Sequence, residues 1–185
     1  MFRRLFLLTV ILFPLVAIAS ESVTGKITIN GQPKDLKYVY AWKEPSPLTR
    51  GKINTVVLLS DAKLDEKTRA DRFALIDAAR KGKFTGVELA ITGLDNVATG
   101  TIYTAAEDGY FDAAGMHKWE KKTRTDSTIA GKVSTERESH FFKTSFSYSA
   151  TFEAPIGPAP KKQTPSSGLR PPSPRKRGEG LRARG

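Results

Sequence analysis

The chain contains no cysteine. That absence excludes disulfides, a thiolate nucleophile, sulfur ligands for zinc and an acylated cysteine that could anchor the protein in lipid. Histidine is almost as scarce. His117 and His140 are the only two, and neither has a carboxylate or a second histidine at a metal-binding spacing, so both read as exposed residues at strand ends. No Gly-x-Ser-x-Gly turn is present to carry a serine nucleophile. Four Gly-Lys pairs, starting at Gly25, Gly51, Gly82 and Gly131, invite a phosphate-loop reading, but Ser20, Ser46, Asp77 and Asp126 stand where the earlier glycine of such a loop must be. Their unequal spacing also excludes an internal repeat, and turn glycines feeding strands account for all four. No cofactor or metal is expected on these grounds.

Long apolar runs are lacking except at the start. Arg3 and Arg4 precede the apolar stretch Leu5 to Val16, which carries Pro14 and no charge, and Ala17-Ile-Ala19 offers small residues where a signal peptidase requires them. Glu21 follows too soon for a spanning helix, which needs about 20 apolar residues. Residues 1–19 are therefore expected to be a cleaved secretory signal. The protein is expected in the periplasm or outside the cell, and not spanning the membrane after cleavage.

The net charge of +11 is concentrated at the two ends. Residues 161–185 carry a net +7, with eight basic residues against Glu179, whereas residues 20–160 hold 20 basic and 18 acidic residues, an ordinary balance. From Pro155 onward seven of the eleven prolines appear and large apolar residues almost vanish, so ordering this stretch has no burial to offset its entropy. Residues 156–185 are expected to be a disordered basic tail. Within it, residues 167–180 resemble the conceptual translation of interspersed repeats found between bacterial genes, which implies read-through of a repeat element. A polycationic arm for anionic surfaces is the alternative. Export makes nucleic acid a poor partner for either.

Residues 20–155 form one domain by size, large enough for a core without staples. Its apolar pattern has period two. Val23 to Ile29 leads into Asn30-Gly31, a hairpin signal, and the next apolar run is Tyr38 to Trp42. Thr55 to Leu59 is apolar on both faces and reads as a central strand. Val87 to Ile91 and Val97 to Tyr103 predict a second hairpin, with Glu88 and Ala90 on the opposite face from Val87, Leu89 and Ile91. Met116 to Arg124 and Thr128 to Ser134 are weaker strand candidates. In the last strand Phe142, Thr144, Phe146, Tyr148, Ala150 and Phe152 share one face. Asp71 to Lys81 predicts the one short helix, with Asp71 as N-cap, Gly82 as its left-handed stop and Phe73, Ile76 and Ala79 on its buried face. The expected fold is mainly β, an antiparallel β-sandwich or a partly closed rolled sheet with that helix.

Two constellations are candidates for function. Tyr38, Tyr40 and Trp42 place three rings on one face of a strand, either as core or as a platform for a sugar or peptide ligand. Glu107, Asp108 and Asp112 surround Gly109-Tyr-Phe111 in an acidic loop, read as a solvated turn, a weak cation site or an acid and base pair. The expected function is a non-catalytic, exported binding or interaction module of the cell envelope, its partner being a protein, polymer or small ligand. The alternative is an envelope hydrolase using the acidic loop.

Overall fold

The computed structural model describes residues 21–161. The expected signal peptide and the tail from residue 162 onward lie outside the described residues. Within them the protein is mainly β, 55% strand against 12% helix, built as a curled open sheet, or half-barrel. Eleven strands make up that sheet.

β1 (Ser22–Ile29) turns at Asn30 and Gly31, whose positive φ values of 49° and 75° fit a two-residue hairpin, and returns as β2 (Gln32–Asp35). The return strand is thus the polar stretch, and not Tyr38 to Trp42 as the apolar pattern had suggested. Pro33 is tolerated there because β2 is the sheet edge and that side needs no donor. The chain then crosses over: β3 (Tyr38–Pro45), β4 (Ile53–Ser60), β5 (Gly86–Ile91), β6 (Val97–Tyr103) and β7 (Tyr110–Asp112) pair in sequence, each antiparallel to its neighbour. β8 (His117–Arg124), β9 (Thr128–Thr135) and β10 (Ser139–Phe141) return to the first half.

The long last strand, β11 (Thr144–Gly157), holds the curl together. It pairs with β1 on one edge and β9 on the other, and then its final residues Ile156 and Gly157 run parallel to Ala41 and Trp42 of β3. The strand therefore continues two residues past the boundary expected at 155. Thr144, Phe146, Tyr148, Ala150 and Phe152 are buried as the alternation requires. Phe142 is the exception: it sits in the β10–β11 turn with φ of 49° and is 84% exposed.

Two cores follow from this geometry. The inside of the curl is filled by alternate residues of both halves, among them Ile27, Val57, Leu89, Ile102, Phe146 and Phe152. The outside of β3 to β6 has its own core, where Trp42, Val56, Leu58 and Tyr103 meet Leu64 and the helical residues Leu75, Ile76 and Ala79. β4 is apolar on both faces because it serves both cores, and each such side chain removed from water contributes about 1.5–3 kcal/mol.

The helical segment is two pieces. α1 (Glu66–Ala70) is capped by Asp65, which accepts from the Thr68 N–H at 2.7 Å, and α2 (Arg72–Arg80) by Asp71, which accepts from Phe73 N–H at 2.9 Å. Asp71 sits in extended conformation between them and breaks the helix. Leu75, Ile76 and Ala79 are the buried residues of α2. Phe73, expected on that face, is 81% exposed. At 3.6 residues per turn it lies about 110° round the helix from the centre of the buried stripe.

Side chains close the gap in the half-barrel. Arg124 on β8, with 16% of its side chain exposed, reaches the β5–β6 turn. It donates to Asp95 Oδ1 at 2.8 Å, to Thr55 Oγ1 at 3.1 Å and to the Thr92 carbonyl, while Lys121 meets Asp95 Oδ2 at 2.6 Å. These bonds, Lys121 first, hold the Asp95 carboxyl below the usual carboxylate range.

Two of the four Gly-Lys glycines are not turn residues. Gly51 and Gly82 do have positive φ, but Gly25 and Gly131 lie inside β1 and β9. A Cβ on Gly131 would come within 2.5 Å of the Trp119 ring, and one on Gly25 within 2.2 Å of the Ser149 carbonyl oxygen. Close packing requires them, not turning.

Candidate functional site

On the outer face of the sheet, the register aligns Tyr40, Leu58, Glu88, Thr101 and Asp112 in one row across β3 to β7. Leu58 is in the outer core, and its neighbour Glu88 is half-buried at the edge of it. Burial, reinforced by the negative charge of Glu44, pushes the Glu88 carboxyl up to about 7, against a partial pull downward from Arg72. The Tyr103 hydroxyl, on β6, donates to Glu88 Oε2 at 3.4 Å. Burial and the Glu88 charge together raise the Tyr103 phenol well above its ordinary value, so it remains a donor.

Glu88 opens into a cleft of about 580 Å³ between the sheet and the two helices. Trp42, Pro45, Pro47 and Leu75 give it apolar walls, Pro160 reaches it from the segment after β11, and Glu44, Arg69 and Arg72 supply charge. Arg72 stands at the start of α2 and meets Asp112 Oδ1 at 3.4 Å. Asp112 in turn accepts from Thr101 Oγ1 at 2.9 Å. Arg69, on α1, lies over the Tyr40 ring at 4.4 Å. Its Nε is buried without a hydrogen-bond partner, and among the described residues no carboxylate pairs with it. A smaller hollow of about 390 Å³ continues on the far side of Arg69 and Trp42.

The aromatic stripe divides along its length. Trp42 is 5% exposed and belongs to the outer core, Tyr40 is half-buried with its hydroxyl accepting from the Leu64 N–H at 2.8 Å, and Tyr38 is at the surface. The three rings do not form one open platform. Of the three rings only Trp42 lines the cleft, beside Arg69, while Tyr40, under the Arg69 guanidinium, lines the smaller hollow.

The acidic loop also divides. Glu107 accepts from Thr144 Oγ1 at 2.8 Å, Asp108 pairs with Arg80 at 3.1 Å, and only Asp112 joins the row with Glu88. Their carboxylates do not converge on one point. Among the described residues no group of three or more His, Asp or Glu is placed to hold a metal ion, and no helix is long and apolar enough to cross a membrane.

His140 is exposed, but His117 is not the surface residue the sequence suggested. Its imidazole fills the space left by Gly100, where a Cβ would be 1.8 Å from the ring, and Nδ1 lies 2.6 Å from the Tyr148 hydroxyl. Burial lowers its pKa, the Gly100 carbonyl acting against that shift.

Sequence reasoning missed Glu44, Arg69, Arg72 and Glu88. For Glu88 there was a signal: β4 is apolar on both faces, so the outer face of the sheet had to be covered, and a glutamate on that face of the adjacent strand had to be covered with it. The half-barrel with an outer, helix-roofed cleft is the class that the fold and site define. No protein-family model, curated protein or solved structure matches the chain.

Proposed function

We propose that the protein is an exported, non-catalytic binding module whose outer cleft takes a small organic anion with an apolar body. The observation that carries this reading is the Arg69 guanidinium: a charged group in the cleft wall, one nitrogen buried without a hydrogen-bond partner, and among the described residues no carboxylate within ion-pair distance. Such a group costs stability unless an anion completes it. The apolar walls suit the rest of the ligand, and a cleft of this volume is in the range that small molecules occupy. The divergence of Glu107, Asp108 and Asp112 favours binding over a hydrolase working from that loop. Export rests on the N-terminal residues alone.

The amphiphilic anion 1-anilinonaphthalene-8-sulfonate is a suitable probe. With Trp119→Phe, Trp42 is the only tryptophan and reports proximity by energy transfer to the bound dye. Saturable one-to-one binding is expected, weakened about tenfold or more by Arg69→Gln, the loss of one charge-assisted hydrogen bond. Binding unchanged by Arg69→Gln would reject this site.

A further inference from the structure

Glu88 and Glu44 are the carboxyl groups that line the cleft, and the ligand reading gives Glu88 a task. The groups facing it are Glu44 from β3, Tyr103 from β6, Asp112 from β7, Arg72 from α2 and, across the cleft, Arg69 from α1. An ionised Glu88 would add to the charge of Glu44 and repel an anion held by Arg69. With its proton retained, Glu88 instead offers an O–H donor on the floor of the same cleft. Tyr103 already donates to Oε2, so the proton belongs on the other oxygen, which remains for a ligand acceptor.

We propose that Glu88 is the specificity-determining residue of the cleft, binding the ligand as a neutral carboxylic acid that donates a hydrogen bond to an oxyanion such as a carboxylate or sulfonate. This inference rests on the binding reading above. It selects ligands whose charged end can also accept: an oxyanion gains the bond, whereas a cation or an N–H donor facing Glu88 loses it. Binding below neutrality finds the proton in place. Above neutrality the complex takes one proton from solvent for each ligand bound, because the ionised form must be neutralised first.

The same dye tests this, since its sulfonate stays ionised throughout and any proton linkage belongs to the protein. With the full chain carrying Trp119→Phe, the dissociation constant is expected to rise about tenfold from pH 6 to pH 8, as the protonated fraction of a group titrating near 7 falls from about nine-tenths to one-tenth. Glu88→Gln, which donates from its amide at every pH, is expected to bind with little pH dependence. Calorimetry of the Trp119→Phe chain at pH 8 in two buffers of different ionisation enthalpy is expected to show close to one proton taken up. That measurement does not depend on the Gln variant. Binding that is saturable and sensitive to Arg69→Gln but flat between pH 6 and pH 8, with no proton uptake, overturns the role of Glu88 and leaves the anion site standing. No saturable binding at any pH overturns both.

Discussion

Glu88 also sets a pH dependence of stability that needs no ligand. Its carboxyl titrates near 7 in the folded protein against 4.5 for an ordinary glutamate. Because the folded pKa is the higher one, the folded state holds the extra proton between these limits. The stabilisation is fully present below about 4.5 and is lost as pH rises through about 7. A difference of about 2.5 units corresponds to roughly 3 kcal/mol, of which about 2.5 kcal/mol is lost between pH 5 and pH 8. Glu88→Gln keeps the shape and the polarity but cannot ionise, so it removes the penalty. Thermal melts of the two proteins are expected to diverge with pH, the variant gaining on the order of 8 °C relative to wild type between pH 5 and pH 8. His117 acts in the opposite sense: its lowered pKa makes stability increase with pH up to about 6.5, but it does so in both proteins and cancels in their difference. The carboxylates held low, such as Asp95 and Asp126, act below this window. Parallel melting curves across pH 5 to 8 would refute the burial of an ionisable Glu88.

Three other outcomes are expected. Gly100→Ala should cost about 2–3 kcal/mol in urea unfolding, because the new methyl takes the place of the His117 ring, and much of that cost should vanish in a His117→Ala background. Arg124→Leu should destabilise by about 2–3 kcal/mol and increase hydrogen exchange in the β5–β6 turn, since it removes the bonds that tie β8 across the gap; unchanged exchange there would contradict the closure. Exported protein should begin at Ser20 or Glu21 by N-terminal sequencing, and material beginning at Met1 would contradict the signal peptide.

Much of the fold was legible because it depends on near neighbours in sequence. Asn30-Gly31 defines its turn by backbone conformation alone, the alternation from Thr144 to Phe152 defines a half-buried strand, and the run at Val56 to Leu59 defines a strand covered on both sides. The places where the reading went astray are those decided by partners distant in sequence. Gly25 and Gly131 look like turn residues until β11 and Trp119 are packed against them. Phe73 looks like core until the neighbours of α2 show which stripe is covered. The site was hidden for the same reason. Glu88 alternates with apolar residues as a solvent-facing side chain does, and only the helices over that face turn it into a half-buried acid on a cleft. Arg69 and Arg72 belong to a charged run whose ordinary reading is a solvated surface, and it is the break at Asp71 that sets them on adjoining helices over one cleft.

The two tryptophans allow the location of the binding site to be tested without any variant. Their indole N–H groups give two separate signals in a ¹H–¹⁵N correlation spectrum. Trp42 lies in the cleft wall with its Nε1 donating to Glu44 at 3.3 Å, while Trp119 is on β8 stacked against Phe152, in the other core. Titration with 1-anilinonaphthalene-8-sulfonate at pH 6 is expected to move the Trp42 indole signal saturably and leave that of Trp119 in place. A shift confined to Trp119, or dye binding that moves neither signal, would contradict the assignment of the outer cleft as the binding site.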